Sequence, residues 1–521
     1  MANLKVLPRN ARSSQPLQAP IRIGKDILGL LSAGMYTEPL SILREYVQNA
    51  ADSIDLAYEA SVLNSKKPGR IDITADAPGR LLRIRDNGLG IESRNVQDVL
   101  VAFGLSKKRG TTARGFRGIG RLGGLGFAER LTFRTRFVGD HDVAEISWDC
   151  RALRAQLSDH NEHSDLIDVV RSVVTTRDMP DEDAPEHFFE VELQGVVRLQ
   201  NDRLLNQGIL GAYLRQIAPL PFDSDFQFAA RINEVVSQFV PRQRIDIRLN
   251  GSEPLSRPHR NALVVSGSKK DRFKDVEFIR LQGVNGGVAA VGWILNHSYL
   301  GALKGSPEIR GLRARLGDMQ VGDEQVFAKA FREPRFNDWA VGELHIVDRS
   351  IVPNGRRDDF ESTASYAHLL NQLSPLGRNL ALRCRVASAH RTKLRRFDSY
   401  ETSVLLAAKR IRSGRITGRR RVAELSEARA TIAAMTKLLS ATSWSKGEEK
   451  LLNKRIHGCR SALGKAKNVQ IEDDPLRVFS PGRRALFEEF LNALRASITS
   501  RATSEALVER VTRKVIRKYA K

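Results

Sequence analysis

The chain has 521 residues, with 84 Lys+Arg against 60 Asp+Glu and a formal net charge of +24. That length allows two or three cores at ~100–200 residues per domain, and no run of about 18 apolar residues is present that could cross a bilayer. Cys150, Cys384 and Cys459 are too few and too scattered for a disulfide framework or a zinc spacing, and the N-terminus has no apolar leader, so a cytoplasmic protein with no membrane attachment is expected.

Residues 40–60 hold no glycine or proline and their apolar side chains recur at helical spacing, which predicts a helix. On it Glu45, Asn49 and Asp52 fall within an arc of roughly 60°, opposite Leu43, Val47, Ala50, Ile54 and Ala57. A surface helix with a solvated polar stripe has the same pattern. Next, 71–74 and 81–85 read as strands joined by the turn Ala77-Pro78-Gly79-Arg80, leaving Asp86 at a strand end and Gly88 and Gly90 to turn the backbone sharply. A carboxylate so placed can accept a hydrogen bond from an exocyclic amine such as that of adenine; Asp-Asn-Gly is also a plain turn.

From Gly115 to Gly126 every second residue on average is glycine, a composition that exposes backbone N–H groups to phosphates and that a flexible surface loop shares. The string Gly118-Ile-Gly120-Arg-Leu-Gly123 follows the polar stretch 106–112 and not a strand, so it is no dinucleotide fingerprint, and a Walker loop occurs nowhere. Farther on, 245–249 with Asn250-Gly251 predicts a strand and turn, and 276–281 with 288–295 predicts a hairpin around Asn285-Gly-Gly. A helix is expected over 361–374, after the Pro353-Asn354-Gly355 turn and its charges.

Beyond residue 390 the balance changes: 391–521 hold 31 Lys+Arg against 13 Asp+Glu, a net of +18, while the first 390 carry only +6. Helical runs are expected near 418–440, 446–466, 483–499 and 503–519. A basic helical region attracts phosphate backbones by counterion release, and it equally suits a dimerisation or client-contact domain with solvated lysine faces.

Taken together, Glu45-x-x-x-Asn49-x-x-Asp52 on a helix, Asp86-x-Gly88-x-Gly90 after a strand and Gly115-x-x-Gly118-x-Gly120 after a polar loop resemble the GHKL, or Bergerat-fold, ATPases: gyrase B, HtpG-type chaperones, histidine kinases and MutL. The approach through 27–45 is most similar to the chaperone branch. The resemblance implies that Glu45 orients and deprotonates water, that Asn49 ligates Mg²⁺, that Asp86 reads adenine, and that Gly115, Gly118 and Gly120 wrap the phosphates of ATP beneath a lid at 104–114 bearing Lys107. It also implies that Asn354 and Arg357 form a catalytic loop in which Arg357 reaches the γ-phosphate. One departure stands out: the family's Gly-Thr pair beside adenine is missing from the corresponding strand, His187–Leu193.

The expected fold class is α/β, with a GHKL ATPase domain at 1–220, a middle α/β transducer-like domain at 221–390 and a basic all-helical domain at 391–521. The expected function is Mg²⁺-dependent ATP hydrolysis by a homodimeric clamp acting on a protein client. The alternatives are a nucleic-acid clamp of the MutL or gyrase B kind, favoured by the basic tail, and a nucleotide sensor in a multi-gene system such as phage defence. Glu45 argues against a mere sensor.

Overall fold

The computed structural model describes residues 24–25, 28, 38–102, 120–159, 165–198, 202–241, 244–413, 416, 418–468, 475–498 and 501–519. Contacts divide the chain into two compact units, 1–385 and 386–521. The mixed α/β class is borne out, with both large sheets in the first unit and, among the described residues, only helices beyond it.

In the first unit helix α1 (Leu40–Glu59) packs on the hairpin β1 (Gly69–Asp76) and β2 (Leu81–Asp86). After the short α2 (Val96–Leu100) come β3 (Arg130–Arg136), β4 (Asp142–Asp149), α3 (Cys150–Ser158), α4 (Leu166–Val173), β5 (Val174–Pro180) and β6 (Phe188–Gln194). Helices α5 (Gln207–Ile217) and α6 (Ala229–Ser237) precede β7 (Ile245–Leu249). These strands form one seven-stranded sheet in the order β5-β4-β3-β6-β2-β1-β7. The parallel β1–β7 pair draws that sheet's edge strand from beyond residue 220, so the first sheet crosses the division expected there.

Alternation gives the sheet two chemically different faces. Ile71, Ile73, Leu82, Ile84, Leu131, Phe133, Val191 and Leu193 are buried in the core that includes α1. On the other face, strand register aligns one residue per strand in the row Arg177, Glu145, Arg134, Glu190, Arg85, Asp72 and Arg248. Charge alternates at every step. Ion pairs at 2.7 Å (Arg177–Glu145), 2.8 Å (Arg134–Glu145) and 2.6 Å (Arg85–Glu190) hold part of the row, with the carboxylates buried beneath the arginine stems.

A small hairpin, β8 (Ala262–Ser266) and β9 (Lys269–Arg272), leads to a second sheet of β10 (Asp275–Gln282), β11 (Val288–Asn296), β12 (Gly311–Leu316), β13 (Met319–Val321) and β14 (Val341–Ile346), ordered β10-β11-β14-β12-β13. The β10–β11 hairpin is the one expected from the sequence. The end of α5 and the residues after it, which lie between β6 and β7, are gripped by buried cations: Arg315 donates to the Gln216 carbonyl at 2.9 Å and Arg257 to that of Leu220 at 2.7 Å. Both arginines pair with the buried Glu343. Burial works to raise the Glu343 carboxyl, but Arg257 and Arg315 beside it hold it well below the usual range.

Helix α7 (Ala364–Arg412) begins near the expected 361 and runs far past 374, carrying Pro375 inside it. In the second unit, Phe397, Val404 and Ile411 pack with Ile432 and Met435 of α8 (Gly418–Ser440) and with Leu452, Ile456 and Leu463 of α9 (Lys446–Lys467). Ser445 caps α9 by a capping box with Glu448. Helices α10 (Pro481–Ala496) and α11 (Arg501–Tyr519) complete the unit, so all four helical runs expected there are present within two or three residues.

Candidate active site

Helix α1 carries the central group. Its polar side is not the solvated stripe that the spacing also allowed: Glu45, Gln48 and Asp52 are buried and Asn49 is half-buried. The reason is the tight turn Gly120–Gly126, which lies across this face. A Cβ on Gly120 would stand 1.9 Å from Glu45 Oε2, so only glycine lets the turn come this close. Tyr46 fastens the turn from beneath, donating to the Arg121 carbonyl at 3.2 Å and accepting the Gly124 N–H at 3.0 Å. Lys107, Gly115 and Gly118 lie outside the described residues.

Asp86 ends β2, buried, and accepts the Gly88 N–H at 2.9 Å. A Cβ on Gly88 would meet Ser53 Oγ at 2.2 Å, and Gly90, at φ +74°, would bring one within 2.1 Å of the Arg136 carbonyl oxygen. The turn is therefore wedged between α1 and the end of β3. His187 steadies it: Nδ1 sits 2.7 Å from the Gly88 carbonyl, which can only accept, so Nδ1 carries the proton, while Nε2 faces Lys67 Nζ at 3.2 Å.

The strand that lacks the family's Gly-Thr pair has a threonine beside it in the sheet. Asp86, Phe189 and Thr135 are neighbours across β2, β6 and β3 on the core-facing side. Thr135 is buried; its hydroxyl accepts the Ile91 N–H at 2.9 Å and donates to the Phe188 carbonyl at 3.0 Å. The apolar alternation of Leu131 and Phe133 was the signal that would have put Thr135 on this face.

The loop at 351–358 reaches the same helix. Arg357 has φ +56°, and its N–H donates to the Asn354 carbonyl at 3.1 Å. Its carbonyl accepts the Gly322 N–H at 2.8 Å and Arg44 Nη1 at 2.9 Å. Its guanidinium forms an ion pair with Glu45, and both groups are nearly buried. Asn354 is used within its own loop, donating to Asp358 Oδ1 at 2.6 Å. Arg44 and Tyr46, on either side of Glu45, went unnoticed in the sequence because helical periodicity assigns them no common face with it.

Arg121, next to Gly120, was also missed. Its Nη2 donates to the Ala102 carbonyl at 2.5 Å, and burial pushes its pKa down to about 10. Among the described residues no carboxylate pairs with it and its Nε has no hydrogen-bond partner.

These elements coincide with a family match: residues 37–173 fit the family described as histidine kinase-, DNA gyrase B-, and HSP90-like ATPase. The chain carries a GHKL ATPase domain. Its GHKL relatives are HtpG-like. Chaperone protein HtpG of Fusobacterium nucleatum is 26% identical over 176 residues, which cover 28% of this chain and 29% of the relative. HtpG of Idiomarina loihiensis is 27% identical over 201 residues, covering 34% and 30%, and that of Shewanella pealeana 32% over 143 residues, covering 24% and 22%. The chain spans less than a third of the length of these curated relatives.

Proposed function

We propose that the GHKL domain hydrolyses ATP to ADP and phosphate and that the rest of the chain makes it an ATP-gated, homodimeric clamp on a protein client. The observation that carries this reading is the Glu45–Arg357 pair with Gly120 pressed on the same carboxylate, which gathers a base, a cation and a glycine turn at one point.

In the proposed reaction a water oxygen bonds to the γ-phosphorus as the bond to the β–γ bridging oxygen breaks; ADP leaves with that electron pair, and Glu45 takes the water proton. Glu45 cannot act while Arg357 neutralises it. Arg357 is therefore assigned to move onto the γ-phosphate, which frees the base and stabilises the transferring group in one exchange. Asp86 accepts from the adenine amine, with Asp52 and the Gly88–Gly90 turn shaping that end. Asn49 offers the single protein oxygen that a magnesium ion on a triphosphate needs, and that ion would offset charge on the phosphoryl oxygens. The donor fits the ion, since Asn49 is half-buried on α1 one turn from Glu45 and carries a hard amide oxygen. Lys107, Gly115 and Gly118 complete the proposed phosphate shell, Asn354 braces the Arg357 loop, and the division into three domains is retained as part of this reading.

A second reading, an ATP-driven nucleic-acid clamp, is favoured by one feature. On α11 the cations Arg510, Arg513, Lys514, Arg517 and Lys518 are all exposed at helical spacing along one side. Phosphate release from purified protein, measured with duplex DNA, RNA or an unfolded protein, tests both. Stimulation by unfolded protein supports the first reading, stimulation by nucleic acid with steep salt sensitivity the second, and absence of ATP turnover removes both.

A further inference from the structure

We propose that Arg44 is a positioning residue: it holds the main chain of Arg357 in place while the Arg357 guanidinium exchanges Glu45 for the γ-phosphate. The proposal rests on the hydrolysis reading above, since Arg44 has a part only in that step. Arg44 and Glu45 are consecutive on α1 and grip the same residue of the 351–358 loop. Glu45 takes its guanidinium, and Arg44 Nη1 donates to its carbonyl at 2.9 Å in a buried contact. When the side chain leaves Glu45, the second grip remains.

The contact is not there to satisfy an orphaned acceptor, because the Arg357 carbonyl already accepts the Gly322 N–H at 2.8 Å. What Arg44 adds is a tie to the helix that carries the base. Its Nη2 lies 3.5 Å from the Gly322 carbonyl, so one guanidinium spans both sides of the contact between the loop and the turn after β13. That turn fits closely: Gly322 has φ +65°, and a Cβ there would stand 2.6 Å from the Asp358 carbonyl oxygen. The Gly322 carbonyl also accepts Gln320 Nε2 at 3.0 Å. Gln320 Oε1 in turn accepts from Arg313 of β12, which donates as well to Gln216 Oε1 on α5 at 3.1 Å. One turn earlier on α5, the Tyr213 ring faces the Arg44 guanidinium, its centroid 5.8 Å away. The contacts thus close on themselves, from Arg44 through Gly322, Gln320, Arg313 and α5 back to Arg44. At φ +56° the Arg357 backbone is in a conformation costly for a residue with a side chain, and it persists because its surroundings dictate it. A guanidinium on such an anchor exchanges partners by side-chain rotation, so a rate that depends on its placement depends on the anchor.

Single-turnover phosphate release beside calorimetry of ATP binding tests this on the full chain and on Arg44→Ala, Arg44→Lys, Arg357→Ala and the Arg44→Ala, Arg357→Ala double variant, each first compared by thermal melting. Misplacing a reacting group slightly can cost ~10²-fold, so Arg44→Ala should slow turnover by roughly 10–100-fold while ATP affinity stays within about twofold. Arg44→Lys should fall between, because it keeps a donor and loses the fork that spans two carbonyls. If the alanine variant does not fold, the lysine variant carries the comparison. In the Arg357→Ala background, removing Arg44 should change turnover by less than about twofold, since no guanidinium is left to position. Unchanged turnover in both Arg44 variants would overturn the proposal. So would the same loss with and without the Arg357 side chain, or a loss of ATP affinity equal to the loss of turnover, either of which makes Arg44 a brace for α1. A wild-type chain that binds ATP without turning it over defeats the hydrolysis reading itself, whereas turnover indifferent to Arg44 defeats this proposal alone.

Discussion

Arg357 and Glu45 stand 312 residues apart in the sequence and share a buried ion pair. The pair joins the loop after the second sheet to helix α1 of the GHKL domain, and it occupies the carboxylate that the proposed hydrolysis requires. The proposed hydrolysis and the loop's position would thereby be tied to one contact.

Replacing Glu45 by Gln should lower ATP turnover by ~10²–10⁴-fold, the usual contribution of a positioned base, while ATP affinity stays within a few-fold. Single-turnover phosphate release beside calorimetry separates the two quantities. Near-normal turnover would remove Glu45 from the mechanism.

Removing one partner of the pair strands the other. Glu45→Ala and Arg357→Ala should each destabilise the unit by ~1–3 kcal/mol, and the double variant by less than the sum. Chemical denaturation of the four proteins gives the coupling; strict additivity would mean that the pair does not form in solution.

Asp86→Asn should weaken ATP binding by ~1–3 kcal/mol, because an amide in place of one carboxylate oxygen can leave the adenine amine unpaired and also disturbs the Gly88 N–H that Asp86 now satisfies. Equal ATP affinity in the two proteins would move adenine recognition elsewhere.

Gly120→Ala sets a methyl group against Glu45 Oε2. Overpacking of this kind costs ~1–3 kcal/mol, and relief must come from the carboxylate or from the turn, so turnover should fall more than melting temperature does. A variant with wild-type turnover would show that the close approach is absent in solution.

His259 sits among Phe222, Phe226 and Trp293, and burial pushes its pKa from 6.5 down to about 3. Between those values the unfolded chain binds the proton that the folded one refuses. The stability contribution is full above pH 6.5 and declines as pH falls, by ~2 kcal/mol at pH 5. His259→Phe should flatten stability between pH 5 and 7; an unchanged slope would place the acid sensitivity in other groups.

The sequence made the first hairpin, the second hairpin and the four C-terminal helices legible, because each follows a local periodicity bounded by glycine, proline or polar turns. Strands β3 to β5 and β12 to β14 were not read: runs such as Arg130–Arg136 alternate apolar residues with arginine and threonine, and their meaning depends on neighbours distant in the chain. Of the site, Glu45, Asp86, Gly88, Gly90, Gly120 and Arg357 were picked out by the resemblance that their motifs carry. Tyr46, Arg44, Arg121, Thr135 and His187 were not, since each acts through a contact made only in three dimensions.

The alternating charges on the first sheet also bear on how the chain finds its topology. Turns specify the register of β1 with β2 and of β3 with β4, yet β2–β6, β3–β6 and β1–β7 join strands that are far apart in sequence, where no turn can set the alignment. Along the row from β5 to β7 each basic strand meets only acidic neighbours and each acidic strand only basic ones, so an exchange of two adjacent strands sets like charges side by side. The row works as an address label, read while the sheet assembles. Because salt shortens the range over which such a label is legible, refolding in high ionic strength should yield more mispaired chains even where the finished sheet is equally stable.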